Sequence, residues 1–419
     1  MKKIDSVWRM VVLNTYWIGL SFKWNALHPI ILPALMLNYA PAGLKNTYLG
    51  MLTFIGLIIA AVLQPVAGAI SDGWHSRWGR RRPFMVVATL FDVVFLGIIG
   101  WLGGLFWLYV GYIGLQVSSN VGQGPAQGLL PDRVAPEKIG VASGIKTFMD
   151  MAALIIASLA AGHLLDPQGK DATLIMAVLI AVMLISTAIT VLGTPEEPTQ
   201  IPKESRTGKE WWRDLRGLLQ VDFRENTAYW WLIGQRLVFL FGVYAVQAFA
   251  QYYIGDVLKV ENPVKTTGDL LAALTVALVI LALAGGWLSD RFGSKPILYA
   301  ASMLVGVGMV LCRLAQTSTI LVLFGSVLGA GIGLFLTASW ALSNRLAPVD
   351  QAGKFLGLTN LATAGAGALS RLEAPLIDLG NGARPGLWVG YTGMFLFGTV
   401  CAILSMIMLS RIKVPESGR

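Results

Sequence analysis

Gly68-Ala69-Ile70-Ser71-Asp72, followed by Ser76-Arg77-Trp78-Gly79-Arg80-Arg81-Arg82-Pro83, returns in shortened form as Gly286-Trp287-Leu288-Ser289-Asp290-Arg291-Phe292-Gly293-Ser294-Lys295-Pro296. Each copy follows a long apolar run and precedes another, and the two copies lie about half a chain apart. A unit of membrane helices with a charged hinge has therefore been used twice. That is the sequence form of a secondary transporter with two related halves and a central substrate path.

Composition agrees. The 419 residues are 55% hydrophobic and only 13% charged, about half the ~25% charged share of soluble domains. Apolar runs long enough to cross a hydrocarbon core of ~30 Å recur throughout. The net charge of +9 does not indicate nucleic-acid binding, because the positive residues sit between helices. Met1-Lys2-Lys3 leads into an apolar segment with no small-residue cleavage site, so the start reads as a span and not a signal peptide. Cys312 and Cys401 lie far apart in apolar segments and read as buried thiols, not as a disulfide or metal site. No cofactor or metal is expected.

Twelve spans are predicted, at 9–37, 46–70, 83–102, 105–131, 139–163, 172–193, 227–254, 267–289, 296–313, 318–343, 353–379 and 386–410. The fold class is an all-α membrane protein of two pseudo-symmetric six-helix bundles, 1–193 and 227–419. Most of the 32 Lys and Arg fall at the termini and in the loops after the even-numbered spans. By the positive-inside rule this makes both termini cytoplasmic, in the inner or plasma membrane of the cell. Between the bundles, 194–226 is a cytoplasmic linker. Trp211, Trp212, Leu215, Leu218, Leu219 and Phe223, set among basic residues, read as an amphipathic helix at the interface.

A second repeat strengthens the two-half reading. Pro131-Asp132-Arg133-Val134-Ala135-Pro136 follows span 4, and Ser343-Asn344-Arg345-Leu346-Ala347-Pro348 follows span 10. The charged loop residues Asp72, Arg77, Arg80, Arg81, Asp132, Asp290, Arg291 and Arg345 are gating candidates. Asp72 is expected to pair with basic residues across the interface between the halves, and the arginines with acidic residues or helix ends.

Polar residues inside the spans form stripes. Gln116, Asn120, Gln123 and Gln127 are spaced by four, three and four residues, on one side of a helix. A row of amides facing lipid is costly, so it is expected to face the bundle interior. Amides donate and accept, which suits sugar hydroxyls; interhelical hydrogen bonding is the alternative use. Span 1 offers Trp24, Asn25 and His28, with Pro29 and Pro33 expected to bend its outer half. Span 7 places Arg236, Tyr244, Gln247 and Gln251 on one stripe, and span 10 places Trp340 and Asn344.

Lys23, Asp92, Lys146, Asp150, Arg236, Arg371 and Glu373 are charges within spans. Each costs about 2.5–3.5 kcal/mol near the bilayer centre if unpaired, so they are expected to pair, line water or change protonation. Lys146 and Asp150, at i and i+4, can pair directly. Arg371 and Glu373 point to different sides of span 11, unless that span is unwound there. Glu373, Asp150 and Asp92 are the proton-carrier candidates, with Lys146, Arg236 and Arg371 as charge partners.

The loop motif resembles that of the major facilitator superfamily. Gln64-Pro65-x-x-Gly68-x-x-Ser71-Asp72, then Ser76-Arg77-x-Gly79-Arg80-Arg81-Arg82-Pro83-Phe84, is similar to the sucrose–proton symporter branch of the glycoside–pentoside–hexuronide transporters. So is Asn120-x-x-Gln123-Gly124-Pro125-x-x-x-Leu129-Leu130-x-Asp132, and, more loosely, Phe22-x-Trp24 in span 1. The resemblance implies a cavity lined by spans 1, 4, 7 and 10, on which the four stripes converge. Two departures stand out. The branch carries an acidic residue at the position of Gln116 and an arginine at that of Gln127, the charges implicated in coupling. Sodium-coupled melibiose-type relatives carry two acidic residues where this chain has Ala60 and Gln64.

The reading is a secondary transporter of a glycoside or small oligosaccharide, expected to be a monomer in the lipid bilayer, with proton coupling implied by the resemblance. Two others stay open: an exporter of amphiphilic small molecules, and a non-transporting pigment-, lipid- or protein-binding assembly factor of the same fold. An enzyme is disfavoured, since the sequence offers no nucleophile–base pair.

Overall fold

The computed structural model describes residues 4–194, 196, 226–348 and 351–412, without the side chains of 352 and 353. The linker helix expected within 194–226 falls almost wholly outside the described residues. Twelve helical segments follow in order. Helix α1 is Val7–Ala26, continued by a π-turn Leu27–Ile31 and by Leu32–Tyr39. Then come α2 Lys45–Asp72, α3 Arg82–Trp101, α4 Leu105–Arg133, α5 Ile139–Leu164, α6 Thr173–Gly193, α7 Thr227–Tyr253, α8 Pro263–Phe292, α9 Ser294–Leu314 and α10 Ser318–Leu346. Helix α11 is Ala352–Leu369, tightened to a 3-10 turn at Ser370–Glu373 and resumed as Ala374–Ala383, and α12 is Val389–Ser410.

Nine of the helices among the described residues are long and apolar enough to cross a membrane by length and composition. The other three, α1, α4 and α11, carry the polar stripes or are broken. Pro29 and Pro33 have no N–H to donate to the preceding turn, and the backbone opens there into the π-turn. Such turns cluster at functional sites. At Ser370–Glu373 the chain tightens where Arg371 and Glu373 would otherwise face two sides of one helix.

Local signals set the ends. The Asn262 side chain caps α8 by accepting from Lys265 N–H at 2.9 Å, with Pro263 in the first turn, where its missing donor costs nothing. Gly104 (φ +86°) and Gly293 (φ +84°) take the left-handed region at the tight turns before α4 and α9, which glycine adopts without a Cβ clash.

The chain divides into two compact units, Met1–Ala40 with Leu52–Trp211 and Pro41–Met51 with Trp212–Arg419. In the first, α1 packs on α5 and α6, and α3 on α4 and α6; in the second, α7 packs on α11 and α12, and α9 on α10 and α12. The duplicated sequence thus folds into the same packing scheme twice. The first core is built around Met10, Leu13, Tyr16, Leu20, Met85 and Met183. The second includes Tyr229 against Phe355 and Phe239 stacked on Phe335 at 3.6 Å.

By its contacts the start of α2, up to Met51, belongs to the second unit. Asp378 accepts there from Asn46 Nδ2, Thr47 N and Thr47 Oγ1, each at 2.7 Å. Lys45 pairs with Asp256 at 2.6 Å, and Tyr391 Oη donates to the same carboxylate at 2.7 Å. A carboxylate on the first turn of a helix is favourably placed for the positive end of its dipole.

Candidate functional site

In the first unit, three aromatic rings from α1 and α4 meet. Trp24 and His28 stack at 4.8 Å, and Tyr112 meets both edge-on, at 6.4 and 5.8 Å. Tyr112 Oη lies 3.0 Å from His28 Nε2 and accepts from Gln116 Nε2 at 2.7 Å. Asn120 Nδ2 donates to Gln116 O at 2.7 Å and to Gln116 Oε1 at 3.2 Å. The helices come close because α2 offers no side chain there: a Cβ on Gly56 would sit 2.5 Å from the Tyr112 ring. The cluster is an aromatic wall with amide and phenol groups at its edge.

Only half of the amide row joins it. Gln116 and Asn120 are buried in the cluster, whereas Gln123 is half-buried and Gln127 exposed. Asn25 is half-buried and donates to Ser21 O of its own helix at 2.7 Å. Tyr112 is the member the sequence reading missed, although it lies one turn before Gln116 on the same face.

Beneath the aromatic wall lies a fully buried ion pair. Lys23 Nζ is 2.5 Å from Asp92 Oδ2, with side chains 0% and 1% exposed. Ser119 Oγ donates to both Asp92 oxygens, at 2.9 and 2.8 Å, and itself accepts from Lys23. Ser118 also donates to Asp92. Asp150 pairs with Lys146 at 2.8 Å and accepts from Ser21 Oγ at 2.6 Å, while Lys146 sits 3.9 Å over the Trp17 ring.

In the second unit, Arg236 is buried. Its Nε donates to Thr363 Oγ1 at 2.9 Å and its Nη1 to Ser339 Oγ at 2.8 Å, and its guanidinium lies 5.3 Å from the Trp340 ring. Arg371 Nη1 donates to Tyr244 O at 3.1 Å. Gln247 is half-buried, Gln251 buried and Asn344 exposed. Glu373 is buried, and its Oε1 has no hydrogen-bond partner among the described residues.

The loop charges at the ends of α2 and α4 form one cluster, in which two of the arginines meet acidic residues. Asp72 was expected to pair across the interface between the halves; the pair it makes among the described residues is with Arg81 of its own loop, at 2.5 Å. Arg81 is 5% exposed. Besides Asp72 it reaches Asp132 Oδ2 at 3.1 Å and Ser71, and its N–H donates to Glu196 at 2.9 Å. Arg80 reaches Asp132 Oδ1 at 2.5 Å. The reason is local: Gly79 turns with φ +91°, which brings the arginines back over the ends of α2 and α4. Burial works against the Arg80 charge, but Asp132, Asp72 and Glu196 outweigh it and hold its pKa above the usual arginine value. Arg77 stays exposed.

The second copy forms no such cluster. Asp290 is exposed and makes no ion pair among the described residues, Arg291 lies against Trp287 and Phe292 of its own helix, and Arg345 is exposed. Its loop has Ser294-Lys295 for the arginine run, with Lys295 donating to Ile412 O at 2.8 Å, and Asn344 where the first copy has Asp132, so the acidic partner is missing and the remaining lysine is engaged elsewhere. Asp132→Asn should lower stability by about 1–3 kcal/mol, less than for a fully buried pair because Asp132 is partly solvated. Thermal unfolding in detergent measures it, with Asp290→Asn expected to change nothing.

Comparison with known proteins agrees with this architecture. A sucrose transport protein of Arabidopsis thaliana, SUC3, is 25% identical over 167 residues, covering 35% of this chain and 27% of that one. The general alpha-glucoside permease of Schizosaccharomyces pombe is 30% identical over 92 residues, 22% of this chain and 16% of its own. These matches span well under a third of the relatives' lengths. The multi-drug resistance efflux pump PmrA of Streptococcus pneumoniae is 20% identical over 347 residues, covering 80% of this chain and 81% of the pump. Among solved structures, a D-xylose–proton symporter superposes with TM-score 0.73 at 15% identity, over 98% of this chain and 99% of that one. The sequence model described as MFS/sugar transport protein matches residues 18–377. With most of the chain matched and the duplicated helical architecture in place, the chain belongs to the MFS/sugar transport protein family.

Proposed function

We propose that this transporter moves a glycoside or small oligosaccharide of sucrose or maltose type across the cell membrane, as a proton-coupled monomer with both termini cytoplasmic. The observation that carries the reading is the Trp24–His28–Tyr112 wall with Gln116 and Asn120 at its edge. An indole face suits the C–H face of a sugar ring, and amides and a phenol suit its hydroxyls, which both donate and accept. The limited similarity to a sucrose transport protein and an alpha-glucoside permease points the same way.

For coupling, the geometry favours Glu373. Asp92 and Asp150 are each held by a lysine and a serine hydroxyl, so their charges are already compensated. Glu373 is buried with an unpartnered oxygen in the 3-10 turn of α11. Of the three carboxyls it is the one with no lysine beside it among the described residues. The Arg80–Arg81–Asp72–Asp132 cluster has the makings of a cytoplasmic lock that opens and closes with the transport cycle.

The test is uptake of labelled sucrose and maltose into proteoliposomes with and without an inward proton gradient. Gradient-driven accumulation is expected in the wild type. Glu373→Gln should abolish accumulation but keep sugar exchange, and Trp24→Ala should weaken uptake of every sugar by about tenfold or more. Absence of both uptake and sugar-induced thermal stabilisation would sink the sugar reading. Accumulation that survives Glu373→Gln would move the proton elsewhere. The similarity to an efflux pump over 80% of the chain favours a second reading, export of amphiphiles, for which ethidium efflux is the direct assay.

A further inference from the structure

Helices α9 and α12 are tied together at two places. In the first half of α9, Ser302 Oγ and Ser405 Oγ lie 3.1 Å apart, and Gln235 Nε2 of α7 donates to Ser405 Oγ at 2.8 Å. Near the end of α9, Arg313 Nε donates to Thr392 Oγ1 at 2.9 Å. Between the ties the two helices leave a groove of about 320 Å³. Met303, Val307, Val310 and Ile403 are exposed along it. Small residues keep it open: a Cβ on Gly306 would meet Ala402 Cβ of the facing helix at 3.4 Å, an ordinary contact.

The groove offers a ligand no polar group. The hydroxyls on its walls are spent, Ser302 on Ser405 and Thr399 Oγ1 on Phe395 O of its own helix at 2.9 Å. An apolar cavity of ~150 Å³ already takes up benzene, and this one is roughly twice that size, so it suits a hydrocarbon chain. What lies at its end carries charge. Lys295 precedes Ser302 by about 10 Å and Val310 by about 22 Å along α9, at 1.5 Å per residue. With Lys295 at the edge of a hydrocarbon core of ~30 Å, the whole groove is inside that core. Lys295 Nζ donates to Ile412 O at 2.8 Å, which places it at the end of α12, next to Arg411 in sequence. Arg411 is exposed and makes no ion pair among the described residues. Two cations at the surface above an apolar groove have the layout of an anionic phospholipid, with charge at the headgroup and a chain below it.

We infer that α9 and α12 bind one anionic phospholipid, with an acyl chain in the groove and the phosphate on Lys295 and Arg411. Lys295 keeps two N–H donors beyond the one spent on Ile412 O, and the Arg411 guanidinium can take two phosphate oxygens at once. A lipid held in this way adds a third tie across the seam, where α9 begins and α12 ends. The site lies on other helices than the aromatic wall and holds for any cargo.

The test uses dioleoyl phosphatidylglycerol and dioleoyl phosphatidylcholine, which share their chains and differ in net charge. Purified full-length protein in detergent is given an equimolar mixture of the two, and the lipid retained after gel filtration is counted by mass spectrometry. Phosphatidylglycerol is expected to be retained over phosphatidylcholine by about tenfold or more, and to raise the unfolding temperature further. The double variant Lys295→Gln, Arg411→Gln should bring the two lipids within about threefold. Gly306→Leu and Val307→Phe, which fill the groove and leave the charges in place, should lower retention of both lipids. Equal retention by wild-type protein overturns the site, as does a preference undiminished in the double variant. Groove-filled variants that keep wild-type amounts of phosphatidylglycerol would reduce it to a headgroup contact without a chain, and overturn the groove. A change of oligomeric state in those variants by light scattering would do the same, making the groove a face between two copies of this chain. Should Gly306→Leu fail to fold, Val307→Phe decides, because Val307 is 45% exposed and a larger side chain there has room.

Discussion

Asp92→Leu should destabilise the protein by about 3–5 kcal/mol, the range for removing one partner of a buried ion pair. Lys23 and Asp92 have side chains 0% and 1% exposed, so neither charge can turn to water when the other is lost. The aspartate takes hydrogen bonds from Lys23, Ser118 and Ser119, and its loss leaves the ammonium with the Ser119 hydroxyl and the Trp24 ring 4.7 Å away, neither of which carries a charge. The double variant Lys23→Met, Asp92→Leu should recover most of the loss, because an apolar pair of similar volume is often neutral. Unfolding in detergent of the two single variants and the double closes a mutant cycle, and a coupling of more than about 2 kcal/mol is expected, within the range for residues in contact. A cost below ~1 kcal/mol for Asp92→Leu alone would mean that water reaches the pair. Recovery of sugar exchange by the double variant would mark the pair as scaffold, leaving Glu373 the stronger candidate for the proton.

The duplication was legible from two short loop motifs, because a charged hinge between apolar runs leaves few alternatives for the chain. The partners of those charges were not. Asp72 finds Arg81, nine residues away, only because Gly79 turns the loop back with φ +91°. The aromatic wall was half legible. The spacing of Gln116 and Asn120 announced a polar face, but Gln127, on the same row, ends up exposed. Tyr112 was not among the expected residues, although it lies one turn before Gln116 on the same face. Asp256 and Asp378 were invisible as partners of Lys45, Asn46 and Thr47, since nothing local links positions so far apart in the chain.

Gly333→Ala should cost about 3 kcal/mol or more, at the upper end of what overpacking does, although it adds a single methyl group. A Cβ there would lie 2.2 Å from Leu278 O and 3.0 Å from Ala282 N of α8, and one on Gly329, a turn earlier, 2.1 Å from Leu274 O. These are backbone atoms of a helix whose own hydrogen bonds fix them, so relief requires α8 and α10 to move apart along their length. Small residues four apart are how membrane helices approach closely, since lipid offers no hydrophobic drive to press them together. The first unit does the same at Gly124, whose Cβ would meet Gln64 O at 2.1 Å and Gly68 N at 2.9 Å in α2, so Gly124→Ala should match Gly333→Ala in size. Gly365 in α11 has nothing within 4 Å of its would-be Cβ, and Gly365→Ala is the control expected to lose no stability. Thermal unfolding of the three variants separates a backbone-limited contact from a general intolerance of change in these helices. Equal behaviour of Gly333→Ala and Gly365→Ala would show that α8 and α10 can part without loss. Their seam would then be a sliding surface, where the close approach of carbonyls at Gly329 and Gly333 argues for a fixed one.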